Sequence, residues 1–103
     1  MGWSQTGLSD VASAIKDMLS SKSIVISLYS ATEKVKTLSP TISVVGATVN
    51  IHAEDSSTDK YTVNDVKVET QAGVLLVDLP CADTTKDTQD KLIVDVNITV
   101  SGA

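Results

Sequence analysis

Apolar and polar residues alternate most regularly at the C-terminal end of the chain. From Lys91 to Ser101 it reads KLIVDVNITVS. Leu92, Val94, Val96, Ile98 and Val100 share one parity; Ile93, Asp95, Asn97, Thr99 and Ser101 share the other. Successive side chains point to opposite faces of a strand, so this segment predicts one apolar face and one mostly polar face. At about 3.3 Å per residue it would extend roughly 36 Å, long enough for a central or seam strand that the rest of the chain covers.

A different period appears near the N-terminus. In residues 8 to 20, LSDVASAIKDMLS, the positions Leu8, Val11, Ala12, Ile15, Met18 and Leu19 recur at three- and four-residue steps. That spacing puts them on one face of an amphipathic helix. Ser4, Thr6 or Ser9 can cap its start, Asp10 suits the positive end of its dipole, and Lys22 suits the negative end. Such a helix beside a sheet is most simply its lid.

Between these two landmarks the pattern predicts further strands. Residues 23 to 29, SIVISLY, alternate. Residues 30 to 40 form a connection with a short edge strand from Lys34 to Leu38, whose charges discourage pairing between molecules, and Pro40 ends it. Residues 41 to 54 change parity at Gly46, which fits a β-bulge or, alternatively, a tight turn; the bulge is preferred. Residues 55 to 60 make a turn. Residues 60 to 69 break phase again at Asn64-Asp65, and Gln71-Ala72-Gly73 turn the chain. The run from Gly73 to Leu79 is almost wholly apolar and predicts a central strand covered on both faces. Pro80 stops it, and residues 81 to 90 follow as a polar loop. The expected architecture is α+β: an N-terminal amphipathic helix packed on an antiparallel sheet or sandwich of about six strands. Residues 1-103 form a single domain, with an arm and helix over 1-22 and an antiparallel β region over 23-103.

Composition narrows the chemistry. The chain has 103 residues, 42 % of them hydrophobic, with no Phe, one Trp and two Tyr. That suffices for one core built from small branched side chains. The net charge is −5 and every basic residue is a lysine. Nucleic acid and anionic membranes need clustered cations, so neither is expected as a partner. No apolar run approaches the 18 to 20 or so residues of a membrane span, and no signal-peptide pattern opens the chain. Cys81 is the only cysteine. An intrachain disulfide is therefore excluded, which favours an intracellular or particle-assembled protein.

Candidate catalytic groups do not converge. His52 is the only histidine, with no second histidine or nearby cysteine to complete a zinc site; it reads as a surface or interface residue. Glu54, Asp55 and Asp59, and then Asp83, Asp87 and Asp90, form two acidic stretches. Neither has the calcium-loop spacing. Cys81 follows a proline without an adjacent cation to activate it and reads as a small semi-buried residue. Asn97-Ile98-Thr99 spells a glycosylation sequon that matters only in a secretory route. A paired-carboxylate glycosidase is disfavoured, since the carboxylates fall in loops or on polar strand faces. The expectation is a non-enzymatic protein with no cofactor and no bound metal.

Several segments carry a resemblance. The opening Trp3-Ser4-Gln5-Thr6-Gly7-Leu8-Ser9-Asp10-Val11-Ala12 is followed by a strand from Ile24 to Leu28. Later come Val63-Asn64-Asp65-Val66, Gly73-Val74-Leu75-Leu76, Pro80 with Lys86, and the closing alternation from Leu92 to Val100. In this order they resemble the small β-rich domains of tailed-bacteriophage virion proteins, found in head-decoration, head-fibre and tail-appendage components. Those domains usually carry Gly-Leu-Phe after the acidic residue, where this chain has Val66-Lys67-Val68. The resemblance implies a structural component of the virion, docking on a capsid or tail lattice through other virion proteins, and a homo-oligomer. The contact surfaces expected are Trp3, Leu8 and the helix, or the edge carrying Lys34, Lys36 and Leu38. The terminal strand could also pair across subunits. The alternative is a free-standing β-sandwich module that binds a glycan or a protein, for which Trp3, Tyr29 and Tyr61 are the aromatics at hand.

Overall fold

The computed structural model describes residues 4–101, with only the backbone of Gln5. Its first element is helix α1 (Gln5–Ser21). It begins earlier than the apolar period alone predicts because Ser4 is the cap: its hydroxyl accepts the Gly7 amide at 3.0 Å and satisfies a donor that has no partner within the helix. Ala12 and Leu19 are buried and Ile15 partly so. The helix packs on both strands of the smaller sheet's hairpin, described next. Met18, expected on the apolar face, is half exposed. At the far end the Lys22 amide donates to the carbonyls of Met18 and Leu19, and Ser23 at φ 53° reverses the chain.

Among the described residues seven strands follow, not about six: β1 (Ile24–Ser30), β2 (Glu33–Leu38), β3 (Thr41–Val45), β4 (Thr48–Asp55), β5 (Tyr61–Thr70), β6 (Leu75–Lys86) and β7 (Leu92–Thr99). They form two antiparallel sheets, a four-stranded one in the order β2-β1-β5-β6 and a three-stranded one in the order β3-β4-β7. This is an α+β fold of one helix on two sheets. One hydrophobic cluster joins all three parts: Ile26, Leu28 and Val68 from the larger sheet, Val49 and Ile51 from the smaller, and Ala12 from the helix, each with no exposed surface.

Tertiary structure overturns five expectations. Gly46, at φ 58°, lies in the tight turn between β3 and β4 rather than in a bulge. The parity change is what a hairpin does when the turn supplies the extra residues. The apolar run after Gly73 is not central. It is β6, the outer strand of the larger sheet, and Leu75, Leu76 and Leu79 are 40–49 % exposed. Pro80 does not stop it: the strand continues through the residues read as a polar loop, because an edge strand tolerates a residue without an N–H. The terminal strand β7 is also an edge, paired with β4 alone. Cys81, expected semi-buried, is exposed.

The phase break at Asn64-Asp65 is a register irregularity between β5 and β6. It frees the Asn64 side chain to accept the Ala31 amide at 2.9 Å, tying the bulge to the β1–β2 turn.

Below the core, polar groups close the end of the larger sheet. Lys86 is 1 % exposed, and its ammonium donates to the carbonyls of Ser57, Asp59 and Asp87. A buried cation needs such acceptors, since desolvation without them is costly. The lysine thereby fastens both loops at that end.

Candidate functional site

Two arrangements stand out, one on the open side of the molecule and one on the outer face of the smaller sheet. The open side lies where β6 and β7 both end their sheets. Between them is a pocket of about 230 Å³ whose walls include Leu28, Val63, Val66, Thr84, Leu92 and Val94. These are core-facing positions: Val63 and Val66 pair with Thr84 and Leu79 across β5–β6, and Leu92 and Val94 lie opposite Asp55 and Ala53 on β4. Cys81 lines the same pocket from β6, and Ile93 and Asp95 line it from β7. Ile93 is 53 % exposed. A second pocket of about 440 Å³ lies where the end of α1, at Met18 and Lys22, meets the β5–β6 turn, at Thr70, Ala72, Val74 and Leu76.

The outer face of the smaller sheet is a polar ladder. His52 Nδ1 lies 2.7 Å from Asp95 Oδ1 across the β4–β7 pair, and Nε2 lies 2.8 Å from Glu54 Oε2. Lys91 approaches Glu54 at 2.8 Å. Asn50 donates to Asp95 at 3.2 Å and to Asn97 at 2.9 Å, and Thr48 meets Thr99 at 3.2 Å. A neutral imidazole has one N–H, so a ring facing carboxylates at both nitrogens is best matched by the doubly protonated cation. The Asp95 bond, then the Glu54 bond, hold the His52 pKa above its ordinary 6.5. Glu54 is held below its ordinary value by Lys91 and then His52, and Asp95 by His52 and then Asn50. With both nitrogens occupied, His52 has no free position from which to take a proton from a substrate. The cluster is a cross-strand clasp.

Other titratable groups serve the loop end. Asp55 is buried, which opposes its charge, yet bonds from Ser57 and Tyr61 and the nearby Lys36 bring its pKa down to about 2. The Tyr61 hydroxyl donates to it at 2.6 Å. Burial, then that bond, push the Tyr61 pKa upward. On the outer face of the larger sheet Asp65 is raised by neighbouring Asp78 and by burial, with Lys67 opposing.

The expected contact residues are dispersed. Trp3 lies outside the described residues. Leu8 is half-buried on α1 and Lys34 is exposed on β2, where it pairs with Glu69 at 3.5 Å. Leu38 is buried in the core, and Lys36 is engaged with Asp59 and Asp55. Neither is presented to a partner, because both sit on the inward parity of β2, beside Ile26 and Leu28 of β1. The two acidic stretches separate as well: Glu54 and Asp55 point to opposite faces of β4, and no group of three potential ligands that could hold a metal occurs among the described residues.

The pocket beside β7 was not legible in the chain, since it arises from two strands that are distant in sequence and end different sheets. The only signal toward it was the clean alternation of the terminal strand. Comparison of the chain with protein-family models, with curated proteins and with solved structures finds no match.

Proposed function

We propose that this chain is a non-enzymatic structural component of a bacteriophage particle that docks on the capsid or tail lattice through protein–protein contacts. The observation that carries the docking reading is the open side. Two sheets end there in strands paired on one side only, and Leu75, Leu76 and Leu79 of β6 and Ile93 of β7 are left exposed. Free strand edges and exposed apolar side chains are what a protein interface covers. The virion assignment rests on the sequence resemblance, which also implies assembly as a homo-oligomer. The two sheets close over their shared core as a sandwich in this reading, with α1 as the lid at one side.

The glycan-binding alternative draws less support. A sugar platform needs a solvent-facing ring, whereas Tyr61 is buried and Tyr29 is half-buried with Lys67 and Lys34 over its ring at 4.6 and 5.8 Å. Density-gradient sedimentation of native source material, with mass spectrometry across the fractions, tests the proposal. The protein is expected with megadalton particles; recovery solely as a small species at the top would overturn it.

A further inference from the structure

Among the described residues four strands are edges, and they are not alike. β2 carries Glu33, Lys34 and Lys36 and a register irregularity against β1. β3 spans five residues and has α1 packed on it. β6 contains Pro80, and its pairing with β5 is interrupted twice. Short length, charge, proline and bulges are the devices that keep an edge from recruiting another strand. β7 has only one of them, the single charge of Asp95, and that carboxylate is bonded to His52 on the neighbouring strand β4. β7 pairs with β4 without interruption from Leu92 to Thr99 and contains neither proline, glycine nor lysine. Its outer row of N–H and C=O groups faces the pocket described above.

From this contrast we infer that the space beside β7 takes an extended segment of a partner protein as a fourth strand of the smaller sheet. The inference deepens the docking reading and rests on it. A strand added about 4.8 Å from β7 would direct every second side chain into the pocket. There it would meet Leu28, Val63 and Val66 of the opposite sheet, with Cys81 and Thr84 closing the far wall. At about 230 Å³ the space suits a few aliphatic side chains and falls short of the roughly 300–1,000 Å³ of small-molecule sites.

Charge defines the rest of the partner. Asp95 lines the pocket although its carboxylate is bonded to His52 and Asn50 on the outer face, and Asp78 and Asp83 are exposed on β6. The neighbouring lysines are engaged elsewhere, Lys91 with Glu54 and Lys86 with loop carbonyls. The chain as a whole carries −5. The occupant is therefore a proline-free segment, apolar at alternate positions, with lysine or arginine between them.

Cys81 supplies a built-in reporter, being exposed, the only cysteine, and part of the pocket wall. The intact chain is panned against a displayed library of random nine-residue peptides, and enriched sequences are synthesised. The expected peptides alternate apolar and cationic or neutral residues. At saturation they slow N-ethylmaleimide alkylation of Cys81 by at least about tenfold, since the reaction needs access to the thiol. N-methylation of the peptide amides that face β7 weakens binding by at least about tenfold, because strand addition depends on main-chain bonds. Failure to enrich such peptides, or enriched peptides that leave Cys81 alkylation unchanged, would overturn the inference. The two readings fail separately: a chain that sediments with particles while no peptide shields Cys81 docks by another surface, whereas peptide binding without particle association removes the virion reading.

Discussion

At the scale of single residues, the most informative group is His52. Its folded pKa lies above the ordinary 6.5, so it contributes stability that is fully present below about pH 6.5 and is lost as pH rises through the raised value. Asp95 and Glu54 act in the opposite direction. Their lowered values contribute stability above their ordinary pKa that is lost on acidification. His52→Gln keeps one hydrogen bond and removes the charge. The stability difference between wild type and this variant, measured by urea denaturation, is expected to be larger at pH 5.5 than at pH 8.5. A difference independent of pH would show that the clasp is not ionic.

A second residue-scale test concerns Tyr61. Tyr61→Phe removes the donor to buried Asp55 and is expected to cost about 1–3 kcal/mol, read from the urea midpoint. Asp55, at about pKa 2, contributes stability that is present above its ordinary 3.8 and lost as pH falls through about 2. The variant should accordingly lose native structure at a higher pH on acid titration, followed by circular dichroism.

At the scale of elements, the fold depends on a few backbone fixtures. Ser4 caps α1, and Ser4→Ala should cost about 1 kcal/mol in thermal or chemical unfolding. The β1–β2 turn carries strain that can be relieved. Ala31 sits at φ 56°, a region that Cβ disfavours, and is held there by Asn64 across the β5 bulge. Ala31→Gly is expected to stabilise the protein by about 0.5–1 kcal/mol. A loss of stability instead would mean that chain entropy outweighs the strain. The sequence placed the break at Asn64-Asp65 correctly, yet its purpose lay in a turn more than thirty residues away.

For the whole molecule, the open side couples stability to association. Ile93 is exposed on β7, so Ile93→Lys should change the urea midpoint by less than about 0.5 kcal/mol in stability. A lysine on an open edge hinders strand addition. The variant is therefore expected to fold normally and to lose peptide binding and particle association together. Unchanged association would place the docking surface elsewhere, for which the apolar pocket between α1 and the β5–β6 turn is the next face to test.

How far the chain could be read follows from the range of the interactions involved. Helix and strand positions were legible because they depend on periods of two to four residues: α1, β1, β2, β5 and β7 fall where the alternation puts them. Even the outward face of His52 followed from its parity against Ile51 and Ala53. For these five elements the sequence alone thus determined the kind of element and its order along the chain. Which strands lie side by side was decided only by tertiary structure. An all-apolar run such as Val74 to Val77 reads as central, but it ended at an edge because β6 pairs with β5 on one side and, among the described residues, no strand pairs with its other side. Gly46 serves a bulge or a turn equally well until β3 and β4 pair. His52 meets Asp95 only through the β4–β7 register, and the pocket beside β7 exists only because two sheets stop at the same side. Local periodicity specifies each strand, whereas its neighbours are chosen by burial summed over the whole chain.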